Sequence, residues 1–301
     1  MKEAAMVPRA EPRSYYGRPV IKSPVWKPEI PWYFFLGGLT GASATLAWAA
    51  DATGNRRLGR NAGLICLAGG TGSPVLLITD LGVPARFFNM MRVFKVTSPM
   101  NLGSWILLAT GGTAAIATIH ETLGLFDHTG RLARGLSALF GLPLATYTAA
   151  LVSNTAVPAW HEARNELPFV FAGSAAASAG AAAAIATHES DAAPARRLAV
   201  LGVALELGAT QVMERRLGEL GEPYRQGEAG VYTKLAKACS AAGATVMALR
   251  GRRRAGALAA GALILAGSVF ERWAIFKAGF QSADDPKYTV RPQRARVDGG
   301  H

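Results

Sequence analysis

Ionisable and phenolic side chains occur within or beside long apolar segments of this 301-residue chain. Glu206 lies inside one apolar segment, Glu271 stands at the edge of another, and Glu29 precedes a third, close to Trp32 and Tyr33. An ionised carboxylate is unfavourable in lipid, so it usually pairs with a cation or belongs to a proton or ion pathway. Glu206 and Glu271 are therefore candidate proton-path residues, and an ion pair or a backbone partner is the structural alternative for Glu206.

Two more groups of this kind stand further along the chain. Asp80 ends the second apolar segment, and Tyr147 lies in the middle of the fourth. Carboxyl and phenol groups can accept, donate and transfer protons. From its position alone, however, Tyr147 is more simply interpreted as a packed aromatic ring with a satisfied hydroxyl.

Eight apolar segments must position these side chains. A helix rises about 1.5 Å per residue, so roughly 20 residues cross a hydrocarbon core of about 30 Å. Most of the segments reach that length, and the sixth and eighth need flanking residues to do so. The pattern predicts an all-α integral membrane protein with about eight transmembrane helices. The segments are Trp32–Ala50, Asn61–Thr79, Met100–Ile119, Gly135–Trp160, Leu167–Thr187, Leu198–Met213, Val231–Leu249 and Ala255–Phe270.

The composition agrees with a membrane protein and argues against several other classes. Apolar residues make up 50% of the chain and charged residues 17%. The net charge is +12, but the Lys and Arg residues lie mainly in tails and loops, where lipid headgroups or a partner protein would meet them, so nucleic-acid binding is not expected. Cys66 and Cys239 cannot supply the four ligands of an iron–sulfur cluster, and no histidine lies in the middle of a segment to ligate haem.

A more specific pattern joins the second and third segments. Asp80–Phe87 reads DLGVPARF and Val96–Trp105 reads VTSPMNLGSW. Both resemble the NrfD/PsrC family, the membrane subunits of polysulfide, nitrite and related molybdopterin or iron–sulfur reductases. The resemblance extends over roughly residues 14–190, and it includes Trp32–Gly41, Tyr147–Leu151, Pro158–Trp160 and Leu167–Pro168.

This resemblance implies eight helices in two four-helix bundles, with no haem and no iron–sulfur cluster in this chain. It implies a quinone or quinol site (menaquinone or ubiquinone) in the first bundle. It also implies an iron–sulfur partner subunit and, through it, a catalytic subunit of the molybdopterin type. The expected protein is a multi-pass anchor subunit in the bacterial plasma membrane that exchanges electrons and protons between quinone and that partner.

The resemblance also assigns roles to individual residues. Tyr147 corresponds to the tyrosine expected to hydrogen-bond a quinone oxygen. Tyr33 stands where the polysulfide reductase subunit has a histidine, and Glu29 is the candidate substitute that would take a quinol proton. The remaining site candidates are Asp80 and Arg86, for a proton route or a loop brace, and Trp32, Ser98 and Asn101, which would line the pocket.

The predicted organisation has four parts: a polar arm (residues 1–28, including Ser14–Pro19), a first bundle (29–160), a second bundle (161–275) and a polar tail (276–301). A proton-conducting or transporter-type module is the main alternative function, and a purely structural anchor is the third. A transporter would be expected to show an internal repeat or paired broken helices, and no convincing repeat is present in the sequence.

Overall fold

The computed structural model describes residues 19–81, 83–124 and 127–298. Most of the predicted N-terminal arm, including Ser14–Arg18, lies outside these residues, as does Gly82 of the DLGVPARF segment. Within the described residues the chain forms eleven α-helices, so the prediction of an all-α protein is confirmed. They are α1 (Glu29–Ala52), α2 (Arg56–Asp80), α3 (Arg86–Arg92), α4 (Pro99–Leu123), α5 (Asp127–Ser153), α6 (Pro158–Glu162), α7 (Leu167–Ala186), α8 (Ala193–Leu217), α9 (Gly227–Arg250), α10 (Arg254–Asp284) and α11 (Lys287–Asp298).

Local sequence signals explain where several helices begin and end. The Asn55 side chain accepts a hydrogen bond from Leu58 N at 3.2 Å and caps the start of α2. Ser98 caps α4, whose first residue is Pro99, and Gly124 ends that helix in the left-handed conformation at φ 63°. These caps satisfy backbone groups that a helix end otherwise leaves unpaired.

Among the described residues, five helices are long and apolar enough to cross a membrane. They are Arg56–Asp80, Pro99–Leu123, His128–Ser153, Leu167–Ala186 and Arg254–Asp284. The other three long helices, α1, α8 and α9, have 24, 25 and 24 residues.

The long helices pack in two neighbouring groups. Helix α1 packs along α2 and α5, and α4 packs along α5. Helix α7 packs along α8 and α10, and α9 packs along α10. The groups meet where α7 contacts α1 and α5. At the α1–α5 crossing, a Cβ on Gly41 would lie only 2.7 Å from Ala145 N, so the small residue permits this close approach.

Short connections make consecutive long helices antiparallel and give the protein two distinct ends. One end, called the termini face below, carries the start of α1 and the end of α10 together with α3, α6, α11 and the 3₁₀ segment Gly218–Tyr224. It is held together by Trp160, whose ring stacks on Trp26 at 5.1 Å and whose Nε1 donates to Ile275 O at 2.7 Å. At the opposite end the connections between consecutive long helices are only three to six residues long.

Two predicted segment boundaries differ from the structure. The fourth segment, Gly135–Trp160, is not one helix, because α5 ends at Ser153 and the chain restarts as α6 at Pro158, where proline suits a first helical position. The eighth segment continues well beyond Phe270, since α10 runs to Asp284. Helix α11 then occupies 12 residues of what the sequence predicts as a polar tail.

Candidate functional site

The two predicted site tyrosines belong to one hydrophobic cluster near the termini face. Tyr33 on α1 is buried, and Tyr147 on α5 packs half-buried against the same cluster, which also contains Leu77 of α2 and Leu107 of α4. Tyr33 lies one turn inside α1, and Tyr147 lies about 9 Å before the end of α5 at Ser153. The helices therefore bring both phenols to a similar depth. The Tyr147 hydroxyl makes no hydrogen bond within the part of the chain described.

A glycine on the neighbouring helix positions the Tyr147 ring. A Cβ placed on Gly103 of α4 would lie 2.5 Å from Tyr147 Cζ and 2.7 Å from its Cδ2. Non-bonded carbon atoms settle at about 3.5–4.0 Å, so only glycine leaves room for the ring at this point. Gly103 is the glycine of the predicted LGSW motif, which gives this motif residue a physical role.

Two carboxyl groups lie where α1 begins and α2 ends. The Asp80 carboxylate, at the end of α2, accepts a hydrogen bond from Lys27 N at 3.2 Å and interacts electrostatically with Glu29. Glu29 is the first residue of α1, and its Oε2 is buried without a hydrogen-bond partner. The positive end of a helix dipole favours a carboxylate there, so Glu29 combines a stabilised charge with an unused acceptor.

Ser98 and Asn101 hold the loop between α3 and α4. The Asn101 amide donates to Met90 O and Val93 O, both at 2.8 Å, and its Oδ1 accepts from Lys95 N at 2.7 Å. Ser98 Oγ accepts from Asn101 N at 3.4 Å as the α4 cap. Both side chains therefore brace this loop, and the pocket-lining role that the resemblance suggests for them stays a prediction.

Trp32 and Arg86 point away from this cluster. Trp32 is 43% exposed, although its neighbour Tyr33 is 2% exposed, because adjacent residues lie about 100° apart around a helix. Arg86 is exposed at the start of α3, a helix without any buried residue. The other four candidates, Tyr33, Tyr147, Glu29 and Asp80, all lie toward the termini end of α1, α2 and α5 and are called the tyrosine–carboxylate group below.

The second half of the chain contains a buried polar cluster, formed by Glu206 of α8 with Glu271 and Arg272 of α10. Their exposures are 1%, 6% and 1%. Ser240 Oγ donates to Glu206 Oε1 at 3.2 Å, while Arg272 Nε lies 3.4 Å from Glu271 Oε2. Arg272 also donates to Phe171 O at 3.1 Å, and its guanidinium lies 3.7 Å from the centre of that ring. Arg272 is thus ion-paired with Glu271, and it also interacts electrostatically with Glu206.

The length of α10 determines where this cluster lies. The helix continues to Asp284 and so places Glu271 about 20 Å inside its end, with Arg272 beside it. The proton-path role that the sequence suggests for Glu206 and Glu271 stays a prediction. The signal available in the sequence was the Glu–Arg pair that directly follows an apolar segment without a helix-ending residue.

A narrow cavity of about 20 Å³ adjoins the cluster, enough for one water molecule. Glu206 and Glu271 line it at one end. Glu214 and Lys237, which form an ion pair at 2.7 Å, line it together with Tyr224. Because α8 runs toward the termini face, the cavity lies between the buried carboxyl groups and charged groups closer to that face.

Sequence reasoning missed an ion-pair network near the opposite end. Arg134 Nε lies 3.0 Å from Asp51 Oδ2, and its Nη2 donates to Glu121 Oε2 at 2.5 Å. Arg134 is 8% exposed and links α5 to the ends of α1 and α4. All three residues stand near segment ends in the sequence, where charged residues are ordinarily solvated, so no sequence signal distinguished them.

A second missed contact attaches α11 to the termini face. Lys287 Nζ donates to Glu222 Oε2 at 2.8 Å, and Tyr288 OH donates to the same oxygen at 3.1 Å. The hydrogen bond from Lys287, followed by that from Tyr288, lowers the pKa of Glu222 below its usual value. The same contact raises the pKa of Lys287.

Among the described residues, no group of three or more His, Cys, Asp or Glu side chains is arranged to hold a metal ion. In a comparison with protein families, the family described as polysulphide reductase, NrfD, matches residues 20–213. A comparison with curated proteins found no match. The family alignment includes the whole tyrosine–carboxylate group and Glu206, and it ends before Glu271 and Arg272.

Proposed function

The chain belongs to the NrfD polysulphide reductase family, and from this premise we propose that it exchanges electrons and protons between a membrane quinone and a partner subunit of an oxidoreductase complex. Proteins of this family are membrane subunits of polysulphide reductase-like complexes. The observation that carries the proposal is that Tyr33, Tyr147, Glu29 and Asp80 all lie toward one end of α1, α2 and α5, with Glu29 Oε2 buried and without a hydrogen-bond partner among the described residues.

The proposal includes a membrane arrangement. Helices α1, α2, α4 and α5 would cross as one four-helix bundle and α7 to α10 as a second. Each of the eight has 20 or more residues, a length of at least about 30 Å, which matches the hydrocarbon core. The packing pairs described above support this division, and so does the antiparallel order of consecutive long helices.

The residues at the termini end of the first group fit a quinone headgroup. A quinone needs hydrogen-bond donors for its two oxygens and an apolar surrounding for its ring. The phenols of Tyr33 and Tyr147 would supply the donors, and the apolar cluster that includes Phe34 and Leu107 would supply the surrounding. Glu29 would offer the proton acceptor.

When bound, quinol supplies two electrons and two protons. Tyr147 would orient the headgroup by donating its hydroxyl hydrogen. The unpartnered Glu29 Oε2 would hold a proton, and the half-exposed Asp80, fixed by Lys27 N, would pass it to water at the termini face. The chain's part is therefore to bind, orient and move protons.

We place the electron-accepting partner, an iron–sulfur subunit with its molybdopterin-type catalytic subunit beyond it, on the termini face. Helix α3 and the loop after it expose large apolar side chains on that face: Phe88 at 68%, Phe94 at 63% and Val96 at 67%. Exposed Arg92 and Lys95 interleave with them. An apolar patch rimmed by charges is typical of protein interfaces.

The test is the variant Tyr147→Phe, with Tyr232→Phe as the matched control. Tyr232 is a half-buried tyrosine of α9 that stacks on Trp273 at 5.8 Å, in the other helix group. Loss of one hydrogen bond of about 1.4 kcal/mol corresponds to roughly tenfold weaker binding. We expect Tyr147→Phe to lower quinol turnover of the complex purified from native membranes about tenfold, and Tyr232→Phe to leave it unchanged.

Two further measurements separate a loss of quinone binding from a loss of assembly. Co-purification of the partner subunits with both variants shows that assembly survives. Quenching of tryptophan fluorescence by a short-chain quinone measures binding to the isolated chain in detergent. Equal turnover and equal quinone affinity for the two variants would reject Tyr147 as a quinone ligand.

A further inference from the structure

Several polar atoms in the buried cluster of Glu206, Glu271 and Arg272 lack a hydrogen-bond partner. Three of the four carboxyl oxygens have no hydrogen-bond partner among the described residues: Glu206 Oε2 and both oxygens of Glu271. Arg272 Nε and Nη1 also make no hydrogen bond, and Ser174 on the facing helix α7 has its hydroxyl beside both carboxyl groups. A buried polar group without a partner is destabilising by about 1–3 kcal/mol, so this set indicates a bound species.

Charge balance identifies that species. Two ionised carboxylates and one guanidinium leave one uncompensated negative charge, and Glu206 and Arg272 are each only 1% exposed. An unpaired charge at this depth is strongly unfavourable. One proton shared by the two carboxyl groups makes the cluster neutral, and it also creates an O–H donor for one of the unpartnered oxygens.

The cluster has a route to one side of the protein. Thr210 and Glu214 lie one and two turns beyond Glu206 on α8, and both line the cavity that Glu206 and Glu271 enter. Glu214 lies about 12 Å along the helix axis from Glu206, in the direction of the termini face. The cavity holds one water molecule, and the Glu214–Lys237 ion pair stands beside it.

Toward the opposite end of the protein, the backbones of these helices pack too closely to leave a water-filled passage. A Cβ on Gly202 of α8 would lie 2.8 Å from Ala177 Cα of α7, and one on Gly180 would lie 2.9 Å from Ala199 Cα. On the other side of the group, a Cβ on Gly243 would lie 2.9 Å from Ile264 N. Contacts this close leave no space for water between the helices.

We propose that Glu206, Glu271 and Arg272 form a proton-binding site inside the second helix group, which exchanges its proton with the termini face along the cavity past Glu214 and Lys237. The transfer is a simple equilibrium, since a proton from water at that face binds one carboxylate and returns the same way. The proposal does not depend on quinone binding, because none of its residues belongs to the tyrosine–carboxylate group.

The other charged or titratable groups that face the site are few. Helix α9 contributes Lys237, α8 contributes Glu214, and the segment before α9 contributes Tyr224, whose hydroxyl donates to Ala159 O at 3.0 Å. Helix α7 contributes serines and a backbone carbonyl in this region. Among the described residues, Arg272 is therefore the cation nearest to both carboxyl groups.

The test uses the full chain in lipid nanodiscs and infrared detection of the carbonyl stretch of a protonated carboxyl group. At neutral pH the wild type should show this band. Glu206→Gln and Glu271→Gln should each abolish it, because the remaining carboxylate then pairs one-to-one with Arg272. Arg272→Gln should increase the band roughly twofold, since both carboxyl groups then stay protonated. Glu166→Gln is the control, because Glu166 is already ion-paired with Arg216 on the same face.

Access is tested by exchange into D₂O, which shifts the band. The double variant Glu214→Gln/Lys237→Met should slow this exchange, and an unchanged rate would overturn the proposed route. A band that survives in both Gln variants would overturn the site, and so would a band that sodium or potassium removes at constant pH, since the bound species would then be a metal cation.

A second measurement covers the case in which the variants do not fold. A hydrophobic carbodiimide reacts with protonated carboxyl groups in apolar surroundings, and its adducts can be located by peptide mass spectrometry on the wild type. We expect modification at Glu206 or Glu271 that declines as the pH is raised. Labelling elsewhere only would reject the proposal.

Discussion

Replacing Gly103 by alanine tests the positioning of Tyr147 without touching the tyrosine. The added Cβ would lie 2.5 Å from Tyr147 Cζ, whereas non-bonded carbons need about 3.5–4.0 Å, so the ring has to move by roughly 1–1.5 Å. Overpacking of this kind destabilises by about 1–3 kcal/mol. If Tyr147 orients a quinone headgroup, a displacement near 1 Å lowers turnover by up to about 100-fold.

The matched control lies on the same helix. Gly112 of α4 has nothing within 4 Å of its would-be Cβ, so Gly112→Ala should leave both turnover and stability near the wild-type level. Quinol turnover of the purified complex and thermal unfolding of the isolated chain are measured for both variants. The same Gly→Ala substitution is thus compared at a position that contacts Tyr147 and at one that does not.

A double-mutant cycle separates geometry from general damage. In a Tyr147→Phe background the hydroxyl is already absent, so adding Gly103→Ala should lower turnover far less than it does in the wild type. Full turnover together with full stability in Gly103→Ala would refute the packing argument. If Gly103→Ala lost stability but kept full turnover, the contact between Gly103 and the Tyr147 ring would be confirmed and Tyr147 would be rejected as a quinone ligand.

Two further predictions concern the ends of the helices. In thermal unfolding, Arg134→Gln should destabilise the chain by about 1–3 kcal/mol relative to the exposed control Arg60→Gln. The loss should be smaller than for a fully buried ion pair, because Asp51 and Glu121 are about one-third exposed. Equal unfolding midpoints for the two variants would contradict a structural role of Arg134. Because the pKa of Glu222 is lowered, its contribution to stability is present above the usual value of 4.5 and is lost as the pH falls through the lowered value. The difference in melting temperature between wild type and Glu222→Gln should therefore vanish in acid. A difference that does not depend on pH would show that the contact is not ionic.

The long helices were predictable because lipid imposes a simple requirement on sequence. Uncharged runs such as Leu167–Thr187 coincide with helix α7 to within one residue, since a spanning backbone must satisfy its own hydrogen bonds. The break after Ser153 was less visible, because the residues between α5 and α6 stay apolar enough to extend the run. Composition alone does not record where a helix is interrupted.

The direction of charged side chains was the harder problem. Whether Arg272 reaches the membrane surface or the interior depends on which neighbours leave space for it. The structure supplies that space at Gly38, where a Cβ would stand 3.4 Å from the guanidinium, and on the ring of Phe171. Both neighbours are distant in sequence, so no local pattern predicts the inward orientation. Asn101 shows the opposite case, because its partners lie 6 to 11 residues away in one loop.

Helix α1 connects the tyrosine–carboxylate group with the buried cluster. Tyr33 packs beside Phe34 with ring centres 6.1 Å apart, and Phe34 lies at the same distance from Phe171. Phe171 in turn receives both the hydrogen bond and the ring contact of Arg272. Gly38, which faces the guanidinium, lies only about 7.5 Å along α1 from Tyr33. Because packed interiors transmit small displacements, we expect a change that moves Arg272 away from Phe171 to alter the packing against Tyr33 as well.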